Sequence, residues 1–140
     1  MERRGTQQAN RTYRATHGSP EPVRVWLLGG FRLFVGSRKI EQGVWRLSKA
    51  QTLVKLLALS AGHRLHREQV TELLWPSLGK EAASNNLRQA LHATRRALDP
   101  HEGSRYVLSQ NGLLKLCPEG TVWVDVVAFE GAARVPNTKG

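Results

Sequence analysis

The stretch that decides the fold is EAASNNLRQALHATRRALDP, residues 81–100, because a helix drawn through it sorts its side chains onto two faces of opposite chemistry. Steps of three and four residues give an apolar stripe that must be buried. The stripe consists of Ala83, Leu87, Ala90, Leu91, Thr94 and Leu98. The opposite face carries amides and cations without a carboxylate, namely Asn85, Arg88, Gln89, His92, Arg95 and Arg96.

This polar face has two interpretations. Cations and amides are the side chains that hold phosphates and read base edges in the major groove of DNA. A solvated polar face is also the ordinary outside of a surface helix, and arginine is a good helix former. The setting of the helix in the chain has to decide between them.

Composition favours an anionic partner. The chain has 140 residues, enough for one domain, and a net charge of +10 from 21 Lys and Arg against 11 Asp and Glu. Nucleic acid is the commonest partner of a basic domain. A membrane surface is the competing partner, but the chain lacks a basic amphipathic helix lined with Trp or Phe on its apolar side. We therefore expect nucleic acid and no membrane.

Several features predict a cytoplasmic protein. No apolar run approaches the ~20 residues of a spanning helix, and residues 1–22 lack the apolar stretch of a secretory signal. The single cysteine, Cys117, cannot form an internal disulfide, which fits a reducing compartment. We interpret it as a small apolar residue at the end of a strand.

Before the basic helix, the pattern predicts strands and two helices. Residues 1–22 are polar and Arg-rich, and are expected to form a disordered basic arm. VRVWLLGGFRLFVGSRKI, residues 23–40, predicts two or three antiparallel strands. Ser48 and Gln51 predict a capping box at the start of the first helix, whose buried face would be Leu53, Val54, Leu56, Leu57 and Ala61. Gly62 would end that helix in the left-handed conformation.

A second helix is predicted from Arg67 to Trp75, with Val70, Leu73, Leu74 and Trp75 on one side, after an extended link at residues 64–66. A loop then leads to the basic helix. Beyond that helix, Asn111-Gly112 predicts a tight hairpin turn. Residues 122–124 are extended, and residues 125–133 are predicted to begin another helix.

The predicted order is that of an α+β winged helix-turn-helix: an N-terminal antiparallel sheet, a three-helix core and a C-terminal β-hairpin wing. In such a fold the last helix enters the major groove and the wing lies along the DNA backbone. We assign residues 23–125 to this domain, residues 1–22 to the arm, and residues 126–140 to the stub of a following helical domain or to a tail.

Four segments carry a resemblance to a known family: LLGGFRLFVG, LSKAQTLVKLLALSAG, REQVTELLWP and NNLRQALHATRRAL. They resemble the N-terminal effector domain of the Streptomyces antibiotic regulatory protein type, bacterial transcriptional activators with an OmpR/PhoB-type winged helix. The resemblance covers Val23 to about Glu130. It implies that a bacterial transcriptional activation domain follows, and VDVVAFE, residues 124–130, is similar to its opening. The chain is then expected to be a fragment or a stand-alone DNA-binding unit.

The resemblance also implies partners. RNA polymerase holoenzyme would be contacted through the loop before the third helix, here Ser77, Leu78, Gly79, Lys80 and Glu81. Pairs of chains would bind double-stranded DNA head to tail on direct repeats, as a homodimer on DNA. Three residues depart from the family pattern: Thr94 replaces an aliphatic residue, His66 replaces a Ser or Thr helix cap, and Leu113 replaces a wing Tyr.

The predicted DNA contacts follow from side-chain chemistry. Arg88, His92, Arg95 and Arg96 are expected to approach phosphates or guanine edges, and Asn85 and Gln89 to pair with adenine. Lys80 and the first amides of the helix are placed for a backbone phosphate. Lys49, at the start of the first helix, and Lys115, in the wing, are further candidates.

Other function classes find less support. No nucleophile stands beside a base, and no pair of carboxylates suggests an active site, so we expect no enzyme. His63 and His66 lack the further ligands of a metal site, and no cofactor is expected. The main alternative is a winged-helix module that binds protein, either RNA polymerase or a downstream regulatory domain.

Overall fold

The protein has a mixed α+β fold in a computed structural model that describes residues 20–45, 47–101 and 103–130. Three α-helices form its centre: α1 is Ser48–Leu59, α2 is Arg67–Leu74 and α3 is Lys80–Leu98. A helical segment at 125–130 follows the last strand. Seven short strands complete the described part: β1 Val23–Trp26, β2 Arg32–Val35, β3 Arg38–Lys39, β4 Arg64–His66, β5 Val107–Gln110, β6 Leu113–Leu116 and β7 Val122–Val124.

The first sheet joins both ends of the described chain. Its strand order is β3-β2-β1-β7, with β1 antiparallel to β2 and parallel to β7. The sequence predicts the antiparallel part, and that part is confirmed. The parallel strand β7 is an addition, since residues 122–124 follow the hairpin by a short loop and reach the free edge of β1. Val23, Val25 and Val124 turn to the core, and Arg24 points away from it.

The second sheet contains the predicted hairpin, which is confirmed. Strands β5 and β6 pair through a turn in which Asn111 and Gly112 have φ angles of 55° and 77°. Positive φ at both central residues is the type I′ pattern that Asn-Gly favours. The predicted extended link at 64–66 is a third strand, β4, whose Leu65 lies opposite Leu114 of β6.

Helix α1 begins differently from the prediction. Ser48 is already helical, and the preceding cap residue is Leu47, so the Ser48 hydroxyl is not placed to form the capping box. The Gln51 side chain instead donates to Gln42 Oε1 at 2.7 Å. Leu53, Val54 and Leu57 are buried as expected, whereas Leu56 is half-buried and Ala61 is exposed because α1 ends at Leu59. Gly62 adopts the predicted left-handed conformation, with φ 67°, in a short 3₁₀ turn after the helix.

Helix α2 buries one side only. Val70 and Leu74 are buried, Trp75 lies half-buried just past the helix end, and Leu73 is 59% exposed. The predicted grouping of Leu73 with Val70 and Leu74 on one side is therefore wrong, because consecutive residues such as Leu73 and Leu74 point in directions about 100° apart round the helix axis. At the N-terminus the Gln69 side-chain oxygen accepts a 3.0 Å hydrogen bond from the His66 amide, so the helix start is supported without a Ser or Thr cap.

Helix α3 buries the whole predicted stripe against α1 and the hairpin sheet. All six residues of the stripe are buried, and Ala97 joins them. The Thr94 hydroxyl donates to the Ala90 carbonyl at 2.8 Å and lies 3.3 Å from the Ala50 carbonyl of α1. The resemblance implies an aliphatic side chain at position 94. The Thr94 hydroxyl that stands there has a hydrogen-bond partner inside the core.

The edges of the described chain bear on two predictions. Residues 20–22, assigned to the arm, contact the fold: Pro20 is buried, and the Gly36 amide donates to the Pro22 carbonyl at 2.8 Å. Residues 1–19 of the arm and 131–133 of the predicted last helix lie outside the described residues. Within the described part, no helix has the length and apolarity needed to cross a membrane.

Candidate functional site

The outward side of α3 presents a set of polar side chains to solvent. Asn85, Arg88, Gln89, His92 and Arg96 are all exposed; these five residues are called the basic face below. They are exposed because the buried stripe occupies the other side of the same helix. Beyond Glu81 in its first turn, α3 contains no carboxylate to neutralise them. The surface combines two guanidinium groups, an imidazole and two amides.

One contact within the basic face fixes a side chain. Arg88 Nη1 donates to Asn85 Oδ1 at 3.2 Å, across one turn of the helix. This bond uses one oxygen of Asn85 and leaves its amide nitrogen and the rest of the guanidinium available. The pair can therefore offer donors to a phosphate or to the acceptor edge of a base.

Arg95 does not belong to the basic face, although the sequence places it there. Its Nε donates to the Val107 carbonyl of β5 at 2.9 Å, and the residue is half-buried. Burial, followed by repulsion from Arg67, lowers the pKa of Arg95 from its usual value. The reason is position on the helix: residue 95 lies toward the hairpin, so its side chain reaches the hairpin before it reaches solvent.

The lysine candidates lie in three different places. Lys80 is exposed at the first turn of α3, next to the basic face. Lys49 Nζ donates to the Leu74 carbonyl at 3.1 Å and thus caps the end of α2. Lys115 is half-buried on β6, directly opposite Arg64 of β4 and Leu108 of β5. Of the three lysines, Lys80 alone lies on α3 itself.

The hairpin turn lies beside the start of α3. The Arg67 amide donates to the Gly112 carbonyl at 2.9 Å, and Arg67 Nη1 donates to Ser109 Oγ at 3.1 Å. A cavity of about 360 Å³ is bordered by His66, Arg67, Glu68, Thr71, Lys80, Ser84, Leu87 and Gly112. The turn and the first two turns of α3 therefore border one surface. Three residues of this surface, Arg67, Ser84 and Gly112, are not among those predicted from the sequence. The only sequence signal for Arg67 is its place at the first position of α2.

The loop that precedes α3 is open to solvent. Each of Ser77, Leu78, Gly79, Lys80 and Glu81 is exposed. The Leu78 amide donates to the Trp75 carbonyl at 3.2 Å, and 42% of the Leu78 side chain is accessible. Leu78 is therefore an accessible apolar side chain in this loop.

Metal-binding chemistry finds no geometric support in the part of the chain that the structure describes. No three His, Cys, Asp or Glu side chains there are close enough to hold an ion. His63 lies 3.0 Å through Nδ1 from the Ala58 carbonyl, so its ring is used locally.

Comparison with protein-family models, with curated proteins and with solved structures found no match to this chain.

Proposed function

We propose that this chain is the double-stranded DNA-binding domain of a bacterial transcription regulator, built as a winged helix. In this proposal α3 enters the major groove and the hairpin of β5 and β6 lies on the backbone. The observation that carries it is the exposure of Arg88, Gln89 and His92 on one side of a helix whose other side is core. A net charge of +10 over the whole chain attracts a polyanion to the protein.

The order of elements supports the winged-helix assignment. Strands, two helices, a loop, a third helix and a hairpin follow one another, and β4 pairs with β6 to give the hairpin a third strand. The amide of Arg67 holds the hairpin turn next to α2. A helix and a hairpin turn that border one surface can contact adjacent parts of a duplex.

Each residue has a proposed role. Arg88, His92 and Arg96 approach phosphates or guanine edges. Asn85 and Gln89 pair with base edges, most favourably adenine. Lys80 and the first amides of α3 bind a backbone phosphate. Arg95 is proposed as a positioning residue, because its bond to Val107 ties α3 to the hairpin.

The family resemblance implies two further contacts. The exposed loop at 77–81 would contact RNA polymerase, which makes the regulator an activator. Pairs of chains would occupy direct repeats head to tail. The exposed Leu78 fits the first of these, since an apolar side chain at a loop tip can anchor a protein partner.

Fluorescence anisotropy with a short labelled duplex tests the proposal. Raising the salt from about 50 mM to about 200 mM should weaken binding by a factor of about a thousand if six or more phosphates are contacted. Arg88→Ala should weaken binding by ~1–3 kcal/mol if Arg88 reads a base, or lower the salt slope by about one if it meets a phosphate. Arg24→Ala is the matched control, because Arg24 carries the same charge on the sheet face that points away from the helices.

The alternative is a protein-binding module, favoured by exposed apolar side chains near the end of the described chain. Trp123 is 39% exposed, Val127 47% and Phe129 64%. A titration that shows no binding to duplex DNA at low salt would exclude the DNA proposal and leave this alternative. Equal loss of affinity in Arg88→Ala and Arg24→Ala would exclude α3 as the contact surface.

A further inference from the structure

A groove runs along α3 on the side of the basic face away from the hairpin. Its other side is lined by Gly43, Val44 and Leu47, and Pro100 lies at one end. Its volume is about 820 Å³. Pockets of about 300–1,000 Å³ are the size that binds small organic molecules. The groove is therefore large enough for a ligand of drug-like size.

The walls of the groove are apolar. Val44 and Leu47 are 44% and 38% exposed, and both line it. Ala93 of α3 faces them, and Pro100 adds a further apolar surface. Covering these two aliphatic side chains with an apolar group removes their surface from water, which is favourable in free energy.

The rim of the groove is cationic. Arg88 and Arg96 line it together with Gln89 and His92, and its lining contains no carboxylate within the part of the chain that the structure describes. Arg88 donates one N–H to Asn85 Oδ1 and keeps its other donors. Arg96 has no hydrogen-bond partner among residues 20–45, 47–101 and 103–130. Guanidinium groups bind carboxylates and sulfonates through paired N–H donors. The groove thus combines apolar walls with N–H donors that are available to an anion.

We propose that this groove binds a compact amphipathic organic anion, a small molecule with an aromatic or aliphatic body and one carboxylate or sulfonate group. The body would lie between Leu47 and Ala93, and the anionic group would meet Arg88 or Arg96. Such a ligand covers Arg88, Gln89 and His92, so it competes with DNA for the basic face. This regulatory consequence rests on the proposed function, whereas binding of the anion does not.

A pair of fluorescent probes tests the binding. 8-Anilinonaphthalene-1-sulfonate has the proposed chemistry, and N-phenyl-1-naphthylamine has the same aromatic body without the sulfonate. We expect one saturable site for the sulfonate and affinity weaker by about tenfold or more for the neutral probe. Equal affinities would overturn the proposal, because apolar contact alone would then explain binding.

Substitutions locate the site. Leu47→Asp should lower sulfonate affinity by about tenfold or more, because it removes an apolar wall and adds a repelling carboxylate. The variant should still fold, since residue 47 is the cap of α1 and aspartate is favoured there. Leu59→Asp is the control, since Leu59 is 55% exposed at the other end of α1, outside the groove. Arg96→Gln and Arg24→Gln form the corresponding pair for charge. Equal loss in a variant and its control would contradict the site.

Amide chemical shifts and a competition experiment complete the test. Sulfonate should shift the amides of Gly43, Val44 and Leu47 and those at residues 88–96 of α3. Shifts centred on Trp123 and Phe129 instead would overturn the assignment. In the competition, sulfonate should release a labelled duplex from the unmodified protein and not from Leu47→Asp. Release from both would exclude regulation through the groove. A protein that binds sulfonate at the groove but no duplex would refute the DNA proposal and retain the anion site.

Discussion

Asp125 joins the end of the first sheet to its beginning. Its Oδ1 accepts from the amides of Leu27 and Val126 at 2.8 and 2.7 Å, and its Oδ2 accepts from the Leu28 amide at 2.9 Å. The side chain is 7% exposed. Burial would raise the pKa of Asp125, but the three amides, with Arg32 nearby, lower it below its usual value.

Asp125→Asn should reduce the free energy of unfolding at neutral pH by ~1–3 kcal/mol, because one amide oxygen cannot replace a carboxylate that accepts three N–H bonds. The native pKa is lowered, so the contribution is complete above the unfolded value of ~3.9 and is lost as pH falls through the native pKa. Urea unfolding at a series of pH values measures this. A gap between variant and unmodified protein that does not shrink in acid would contradict the role of the charge.

Cys117 is held where its thiol cannot react easily. It is 3% exposed, and burial is the main reason that its pKa rises to about 11. We expect the thiol to resist a disulfide reagent at pH 8 in the folded protein and to react at once in denaturant, since the thiolate is the reactive form. Rapid labelling without denaturant would show that the strand end opens in the native state.

The C-terminus of α3 is covered by the segment that leads to the hairpin. Gly103 is buried, and a Cβ at this position would lie 2.8 Å from the Cα of Arg95 and nearer still to its carbonyl group. Backbone cannot move aside as a flexible side chain can. Gly103→Ala should therefore destabilise the protein by ~2 kcal/mol or more. Gly43→Ala is the control, because a Cβ there meets no atom within 4 Å. Thermal unfolding measures both; equal melting temperatures for the two variants would contradict this packing.

Hydrophobic periodicity predicts which helices and strands bury one face. It does not predict where a side chain of such an element contacts another element distant in the sequence. The stripe of α3 was predictable because its six residues recur at helical spacing and are all buried. Asn111-Gly112 was predictable because its turn type is local. Arg95 was not, because its partner is a carbonyl 12 residues away on β5. The groove was not predictable either, since the approach of Gly43, Val44 and Leu47 to α3 leaves no repeat in the sequence.

The same limit applies to β7. Three apolar residues after a hairpin predict an extended piece, but pairing with β1 depends on residues about 100 positions apart, such as Val23 and Val122. Long-range pairing is decided by which edge is free, and that is a property of the assembled fold. All five residues of the basic face could be found from the sequence because the face depends on α3 alone, whereas the departure of Arg95 and the relation of the face to the hairpin turn could not.

The two ends of the described chain therefore stabilise one another. Residues after 121 make three contributions to the fold. They are the parallel pairing of β7 with β1, the burial of Val124 and the three hydrogen bonds that Asp125 accepts. A chain that ends at Thr121 should lose more than ~3 kcal/mol of unfolding free energy, from one buried valine and the bonds of a charged group. A chain that ends at Glu130 retains all three contributions and should lose far less. Urea unfolding of the two truncated proteins measures the difference. Equal midpoints would show that residues 122–130 contribute little to the fold, and that β1 is stable as an edge strand without them.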